Sequence, residues 1–331
     1  MPSRARHQAS TPRFPAKLAD LQFNVARQSA LEPEVLTTPI PMTGTVKLHG
    51  THADLLVYPD DSIVCQSRNR AEITPESDNL GFAAFCSTRR TQIQRLTQRV
   101  KDRWRELHPG AEMGEEPVIL AGEWIGAGIQ KGVAIAQLSK RFVLCSVQVA
   151  GAWEQMEQYA DLEDAEAMIL NVSRGGFYHL HYRYTDGGKA FLAEAKELTL
   201  AVAAACPFGK ALGVEGEGEG IVWTPAPASS LPNIADFWLK TKAMQFTAAR
   251  HMPRNSKEQS ADKESVKTRA RVFAVDACSQ ERLEQGWQYL QEMGVEQTVK
   301  GLGTFLNWVT KDIEVEDKHE IEELELSLIH I

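Results

Sequence analysis

Lys47 stands in the stretch TVKLHGTHADL, residues 45–55, two residues before His49 and three before Gly50, with His52 close behind. The run is otherwise written like a strand, so a strongly hydrated cation within it is either an edge charge or a nucleophile. A lysine amine holds its proton up to a pKa near 10.4 in water. Acting as a nucleophile at neutral pH requires a depression of roughly three units, about 4 kcal/mol, from desolvation and neighbouring cations. An apolar strand end beside a glycine offers the desolvation, and Gly50, lacking a side chain, lets the phosphates of a nucleotide approach the backbone closely.

Further charged residues follow at intervals that suit the same chemistry. Arg68 lies in CQSRN, Glu123 in LAGEWIG, Glu219 at the end of VEGEGEG, and Lys240 with Lys242 in FWLKTKAMQF. Each has a plainer reading: Arg68 pairing with a surface acid, Glu123 an edge charge, Glu215, Glu217 and Glu219 a solvated acidic loop, the two lysines an exposed strand face. Strand side chains alternate, so Lys240 and Lys242 point to the same side. In YHLHY the pair His179 and His181 share a strand face, but no third metal ligand is evident nearby, and a structural strand is the better reading.

The stretch KLHGTHADL resembles the lysine motif of the covalent nucleotidyltransferases, the superfamily of ATP-dependent DNA and RNA ligases and mRNA capping enzymes. Most members carry an aspartate where His49 stands, and the form Lys-x-His-Gly-Thr is similar to the phage RNA ligase 2 type. The segments bearing Arg68, Glu123, Glu219 and Lys240 with Lys242 match that group's later motifs in order, from about Thr45 to Phe246. The resemblance implies that Lys47 attacks the α-phosphorus of ATP and retains AMP as a phosphoramidate, that Arg68 is essential, and that Glu123 holds the ribose. It also implies that Lys240 and Lys242 neutralise phosphate charge, that His49 and Gly50 border the nucleotide, and that Glu219 holds Mg2+ or Mn2+.

One departure concerns the base. The group usually reads Phe-x-x-Phe-Asp-Ile after its third motif, its second aromatic stacking on adenine, whereas FVLCSV places Cys145 there and Ser146 at the aspartate position. Phe142 is then the candidate for stacking. By resemblance the whole reaction is ATP-dependent joining of 5′-phosphate and 3′-hydroxyl RNA ends, in a nicked duplex or a single strand. A capping-type guanylyltransferase or DNA ligase shares the lysine chemistry, but both normally follow the Lys-x-Lys motif, here Lys240 and Lys242, with an OB barrel, where this chain reads as helices. A nucleotide-binding protein without turnover is the non-enzymatic alternative.

Positioning these residues falls to an α+β fold. The strand-like segments PVILAGEWIG, KRFVLCSVQVAG, GFYHLHYRY, GIVWTP and DFWLKTK, with a hairpin through YPDDS, lack the βαβ alternation of a doubly wound sheet. Helices are expected over about Leu80 to Leu107 with its arginines facing solvent, at LEDAEAMIL and through GGKAFLAEAKELTLAVAAAC. The expected architecture is an antiparallel-rich nucleotidyltransferase domain of the ATP-grasp-like ligase kind over 30–246. A polar linker at 247–268 leads to a small helical domain at 269–331, with helices at ERLEQGWQYLQEMG and from GTFLNWV onward.

The 331 residues, 43% hydrophobic and 24% charged, describe a globular chain with no run approaching a membrane span. A net charge of -8 argues against general basic coating, leaving the Arg-rich stretch 87–110 as the candidate for a polyanion. Five cysteines without a CxxC pair read as reduced thiols, placing the protein inside the cell, in cytoplasm or nucleus. The acid-free start has the composition of a mitochondrial presequence, but three prolines spoil an amphipathic helix, so 1–29 is read as a flexible extension. The expected state is a monomer.

Overall fold

A computed structural model describes residues 38–226, 237–243, 266–317 and 321. The expected extension 1–29 and the greater part of the expected linker, 247–265, lie outside the described residues. Two compact units divide between Thr241 and Lys242.

The first unit is α+β, built on two largely antiparallel sheets with one short parallel pairing. The stretch that reads as one strand before the YPDDS turn is two, β1 (Ile40–Lys47) and β2 (Thr51–Val57), and they belong to different sheets. β2 turns into β3 (Ile63–Ser67) through that turn, with Asp60 Oδ1 accepting hydrogen bonds from the backbone N and hydroxyl of Ser62. Then come α1 (Phe82–Thr88), α2 (Arg90–Leu107), β4 (Val118–Ile125), β5 (Arg141–Val149), the two-residue β6 (Ala152–Trp153), β7 (Ile169–Asn171) and β8 (Phe177–Tyr182). After α3 (Lys189–Ala204) and α4 (Pro207–Ala211) the unit closes with β9 (Gly220–Pro225) and β10 (Leu239–Lys242).

One sheet runs β10-β9-β1-β8; the other runs β3-β2-β4-β5-β6, with β7 pairing parallel to β5. Helices cover the outer face of each. Phe191 of α3 packs edge-on to Trp223 and Tyr182 beneath the four-stranded sheet. Under the other sheet Phe82 of α1 meets Trp124 and Phe142, both with centroids 5.6 Å away, and α2 buries Ile93, Leu96 and Val100. The uncovered faces enclose a cleft lined by β1 and β9 from one side and by β2, β4 and β5 from the other.

Two helix expectations need correcting. The segment from Leu80 to Leu107 is two helices, because Arg89 leaves helical geometry at φ −121° and ψ 21°, donates from Nε to the Ala167 carbonyl, and lays its guanidinium over the Phe85 ring. LEDAEAMIL is not a helix: the Asp164 carboxylate accepts from Ala167 N, Asp164 and Ile169 form an isolated bridge, and the chain runs into β7. The arginines of α2 also do more than face solvent. Arg99 donates to the carbonyls of Glu163 and Asp161, and Arg103 to that of Gln158, so they tie down the strand-to-strand connection.

The described part of the second unit is helical: α5 (Val266–Ala277), α6 (Gln280–Glu292) and α7 (Leu302–Glu316). α5 escapes the sequence reading because its start falls in a polar stretch; α6 ends at Gly294, with φ +65°, as the sequence indicates. Ala270, Phe273, Leu290, Phe305, Val309 and Ile313 form its core. Within it Arg282, 1% exposed, pairs with Asp312 at 3.0 Å and Asp317 at 2.8 Å and donates to the Ala277 carbonyl. Among the described residues no helix is long and apolar enough to cross a membrane.

Two substitutions test this packing. A Cβ at Gly122 would lie 2.1 Å from the Val143 carbonyl oxygen on the neighbouring strand, so Gly122→Ala should cost about 3 kcal/mol, read from the urea midpoint. Arg282→Ala leaves two buried carboxylates without their cation and should cost about 3–5 kcal/mol, read from lost hydrogen-exchange protection over 266–317. Midpoint and protection equal to those of the parent would refute each in turn.

Candidate active site

β1 ends at Lys47, and its register partner on β9 is Gly220, so the residue before β9, Glu219, arrives beside the amine. Lys47 Nζ lies 2.7 Å from Glu219 Oε2, and His49 Nδ1 is 3.5 Å from the same oxygen. The three glutamates of VEGEGEG part company here: Glu215 and Glu217 are exposed, Glu219 is only 2% exposed. Backbone bonds hold that loop, from Ala134 N to the Glu217 carbonyl and from Gly218 N to the Ala203 carbonyl, so it is not a free acidic loop.

Gly50 also has a packing task that its sequence position does not suggest. A Cβ there would meet the Trp124 carbonyl oxygen at 2.6 Å, Ile125 Cγ2 at 2.8 Å and Glu123 Oε2 at 2.9 Å. The glycine therefore lets the chain press against β4 as it passes from one sheet to the other. Thr51 then pairs with Trp124 and His52 with Glu123.

Glu123 and His52 both line the cleft, together with Lys47 and Cys145. Glu123 Oε2 is buried and has no hydrogen-bond partner among the described residues. Burial, and less strongly the charge of Glu219, push the Glu123 carboxyl up to about 7, against the opposing pull of Lys47, His52 and His49. A buried acceptor lacking a donor suits a ligand that brings one, such as a ribose hydroxyl. His52 Nε2 lies 2.7 Å from Oδ2 of Asp54, itself 1% exposed. Burial draws the imidazole down, but Asp54, its hydrogen bond and Glu123 outweigh burial and Arg68, so the cationic form is favoured beyond its usual range.

Arg68 is exposed and follows directly on β3; the register Ala53 with Ser67, carried on by one residue, sets it level with His52, whose ionisation its charge opposes. In β10 the residue between the two lysines, Thr241, bonds to Trp223 Nε1 at 3.0 Å and to the Thr199 hydroxyl at 2.6 Å, on the face covered by α3. Alternation puts Lys240 on the opposite strand face, the one from which Val222 and Thr224 of β9 line the cleft, with Lys242 two residues on.

Phe142 is the residue the structure does not bring to the site. It is wholly buried on the outer face of its sheet between Phe82 and the backbone of Gly122, so it cannot stack on a base in the cleft. Cys145 does line the cleft. The β4–β5 register shifts between Ala121, opposite Ser146, and Gly122, opposite Leu144, which leaves Cys145 as the extra residue of a β-bulge. Burial above all, and then Glu123, push its thiol far up, so it is no thiolate nucleophile.

The apolar end of the cleft holds Met156, Val222 and Trp238, the last with its ring 5.5 Å from Trp153. Trp238 and Asp54 were absent from the sequence-derived site. Trp238 sits two residues before Lys240, and His52-x-Asp54 is a same-face pair on a strand, signals too common to single out alone. Among the described residues no group of three or more His, Cys, Asp and Glu is arranged to hold a metal ion. The donor set at Glu219, one carboxylate beside a lysine, nonetheless fits a cation such as Mg2+, which takes one or two carboxylates and completes its shell with water and phosphate oxygens.

The structure thus brings an amine at a strand end together with carboxylates on the facing strands of a two-sheet cleft. The family model for RNA ligase matches residues 40–242, and the chain belongs to that family. Curated proteins give no match. Among solved structures, an archaeal ATP-dependent RNA ligase aligns in form 1 at 13% identity and TM-score 0.38, covering 94% of this chain and 64% of that one. Form 2 of that description aligns at 12% identity and TM-score 0.36, covering 86% and 60%. The chain thus spans somewhat under two thirds of the length of these structures, and at such TM-scores the likeness carries no weight for the fold.

The Glu123 carboxyl sets a pH dependence of stability. Between about pH 4.5, its unperturbed value, and 7 the folded state keeps a proton that the unfolded chain has released, so stability falls as pH rises through this window and levels off above 7. Glu123→Gln removes the titration. The variant should gain roughly 1–3 kcal/mol on the parent at pH 8 and least at pH 5, measured by urea unfolding. Parallel pH curves for the two proteins would refute this.

Proposed function

We propose that the chain is an ATP-dependent RNA ligase that joins 5′-phosphate and 3′-hydroxyl ends through a lysyl-AMP intermediate on Lys47. The observation that carries this reading is the position of Lys47 in the cleft, its Nζ 2.7 Å from the buried Glu219, with Glu123, whose buried Oε2 has no partner among the described residues, lining the same cleft. Membership in the RNA ligase family supports the substrate class.

In the proposed reaction the Lys47 amine, once deprotonated, attacks the α-phosphorus; a P–N bond forms and the P–O bond to pyrophosphate breaks. Transfer of AMP to an RNA 5′-phosphate frees the amine, and attack by a 3′-hydroxyl then closes the phosphodiester and releases AMP. All three steps are phosphoryl transfers, in which positioning and charge neutralisation dominate. Glu123 accepts from the ribose, while Lys240, Lys242 and Arg68 offer positive charge to phosphates. A divalent cation on Glu219 would draw that carboxylate away from the Lys47 ammonium and so favour the neutral amine.

Purified protein incubated with Mg2+ and α-labelled ATP or GTP and run on a denaturing gel tests the reading. Label from ATP should appear on the parent and be lost completely in Lys47→Ala, and the labelled protein should seal a nicked RNA duplex or RNA single strands. Label from GTP alone would assign a capping-type reaction instead. No label from either, in folded protein free of bound AMP, would leave a nucleotide-binding protein without turnover.

A further inference from the structure

His52 and Asp54 form a pair that the nucleotidyl-transfer chemistry does not itself require. They are two residues apart on β2 and so share a face, and that face is the cleft. Asp54 is the more buried, and its Oδ2 holds His52 Nε2 at 2.7 Å. Directly across the sheet, His52 pairs in register with Glu123 on β4. Opposite residues on one face of an antiparallel pair have Cβ atoms about 4.5–5.5 Å apart, so the imidazole and the Glu123 carboxyl interact across the strands.

We infer that the Asp54–His52 pair is a positioning device that favours Glu123 as the acceptor for a ribose hydroxyl, and that it thereby sets discrimination between ribose and deoxyribose in the nucleotide pocket. The inference rests on the proposed nucleotide site. An ionised carboxylate is purely an acceptor, whereas a protonated one keeps less acceptor capacity and presents an O–H donor, and in this cleft burial drives Glu123 toward its neutral form. A cation alongside opposes that drift, but a histidine in such surroundings would itself be driven neutral. Asp54, buried at 1% exposure, supplies the charge that holds the imidazolium. Alternating charges thus run Asp54, His52, Glu123 across two strands.

Other charged groups face this chain from each neighbouring element. Arg68 after β3 opposes the imidazolium, Lys47 and His49 beyond β1 help to ionise Glu123, and Glu219 before β9 resists it. Cys145 of the β5 bulge stays a thiol. Lys47 pulls on Glu123 more strongly than His52 does, but Lys47 and His49 also face Glu219, whereas Asp54 acts on Glu123 through His52.

Calorimetric binding of α,β-methylene ATP and of its 2′-deoxy and 3′-deoxy forms tests the device without any turnover, with Lys47 labelling run alongside. The parent should lose about tenfold in affinity for at least one deoxy form at pH 7, the scale of a hydrogen bond to a charged group. Asp54→Asn should weaken the ribose form about fivefold and erase that discrimination, as Glu123→Gln does, with affinity recovering by pH 9 where Glu123 ionises unaided. His52→Asn should match Asp54→Asn, and the double variant should be no worse than either single one. Discrimination retained in Asp54→Asn, or additive losses in the double variant, would overturn the inference. Parent protein that binds with Asp54-dependent discrimination yet takes no label would uphold the device while refuting the ligase reading. Parent protein that binds no nucleotide would overturn both.

Discussion

The close passage of the chain between the two sheets at residues 48–50 is the constraint on which the site depends. β1 must stop with Lys47 against Glu219, and within three residues the chain must begin pairing with β4 in the other sheet. Only a residue without a Cβ can lie against the Trp124 carbonyl there, and Gly50 provides it. A side chain at 50 would push β2 away from β4 and so separate His52 from Glu123. It would also open the angle that brings a strand end from one sheet opposite a strand face from the other. The motif spacing from lysine to glycine is therefore a statement about sheet crossing as much as about phosphate approach.

The bulge on β5 and the glycine on β4 extend the same logic to the opposite wall. Gly122 lies so near the Val143 carbonyl that the strands are drawn together at that point, and the register slips by one residue immediately beyond it. The slip sets both Cys145 and Ser146 on the cleft face, where strict alternation would turn them to opposite faces, while Phe142 stays with Phe82 and Trp124 in the core. Phe142 lies three residues before Cys145, so alternation alone already turns it away from the cleft, and its selection as a base-stacking residue fails for that reason.

Much else was legible. The hairpin-like strands, the long alanine-rich helix and the alignment of Lys47, Glu123, Glu219 and Lys240 along the chain could be read because each rests on local pattern or motif order. What stayed hidden depends on distant partners. Arg89 breaks a helix by reaching a carbonyl 78 residues away, and the arginines of α2 are spent on backbone carbonyls near 158–163. Helical periodicity shows an amphipathic face but not which polar residues on the other side are engaged. Asp54 looked like an ordinary strand acid, and only its burial beside His52 sets it apart.

The electrostatics of the cleft also explain how a chain with a net charge of -8 can suit a polyanionic ligand. Glu219, Glu123 and Asp54 are each set against a cation or a histidine, so the walls carry interleaved charges and not a uniform field. Overall charge governs encounter at distances of a Debye length, about 8–10 Å, whereas binding inside a partly desolvated cleft depends on which pairs a ligand can replace. Here Lys47 and His49 share one carboxylate oxygen, so a phosphate arriving beside them competes with Glu219 for both. Glu219 in turn becomes available to a cation that travels with the phosphates. The acidic residue nearest Lys47 thus does not oppose an anion so long as that anion brings its own counter-charge, which is the ordinary form of a nucleotide in solution.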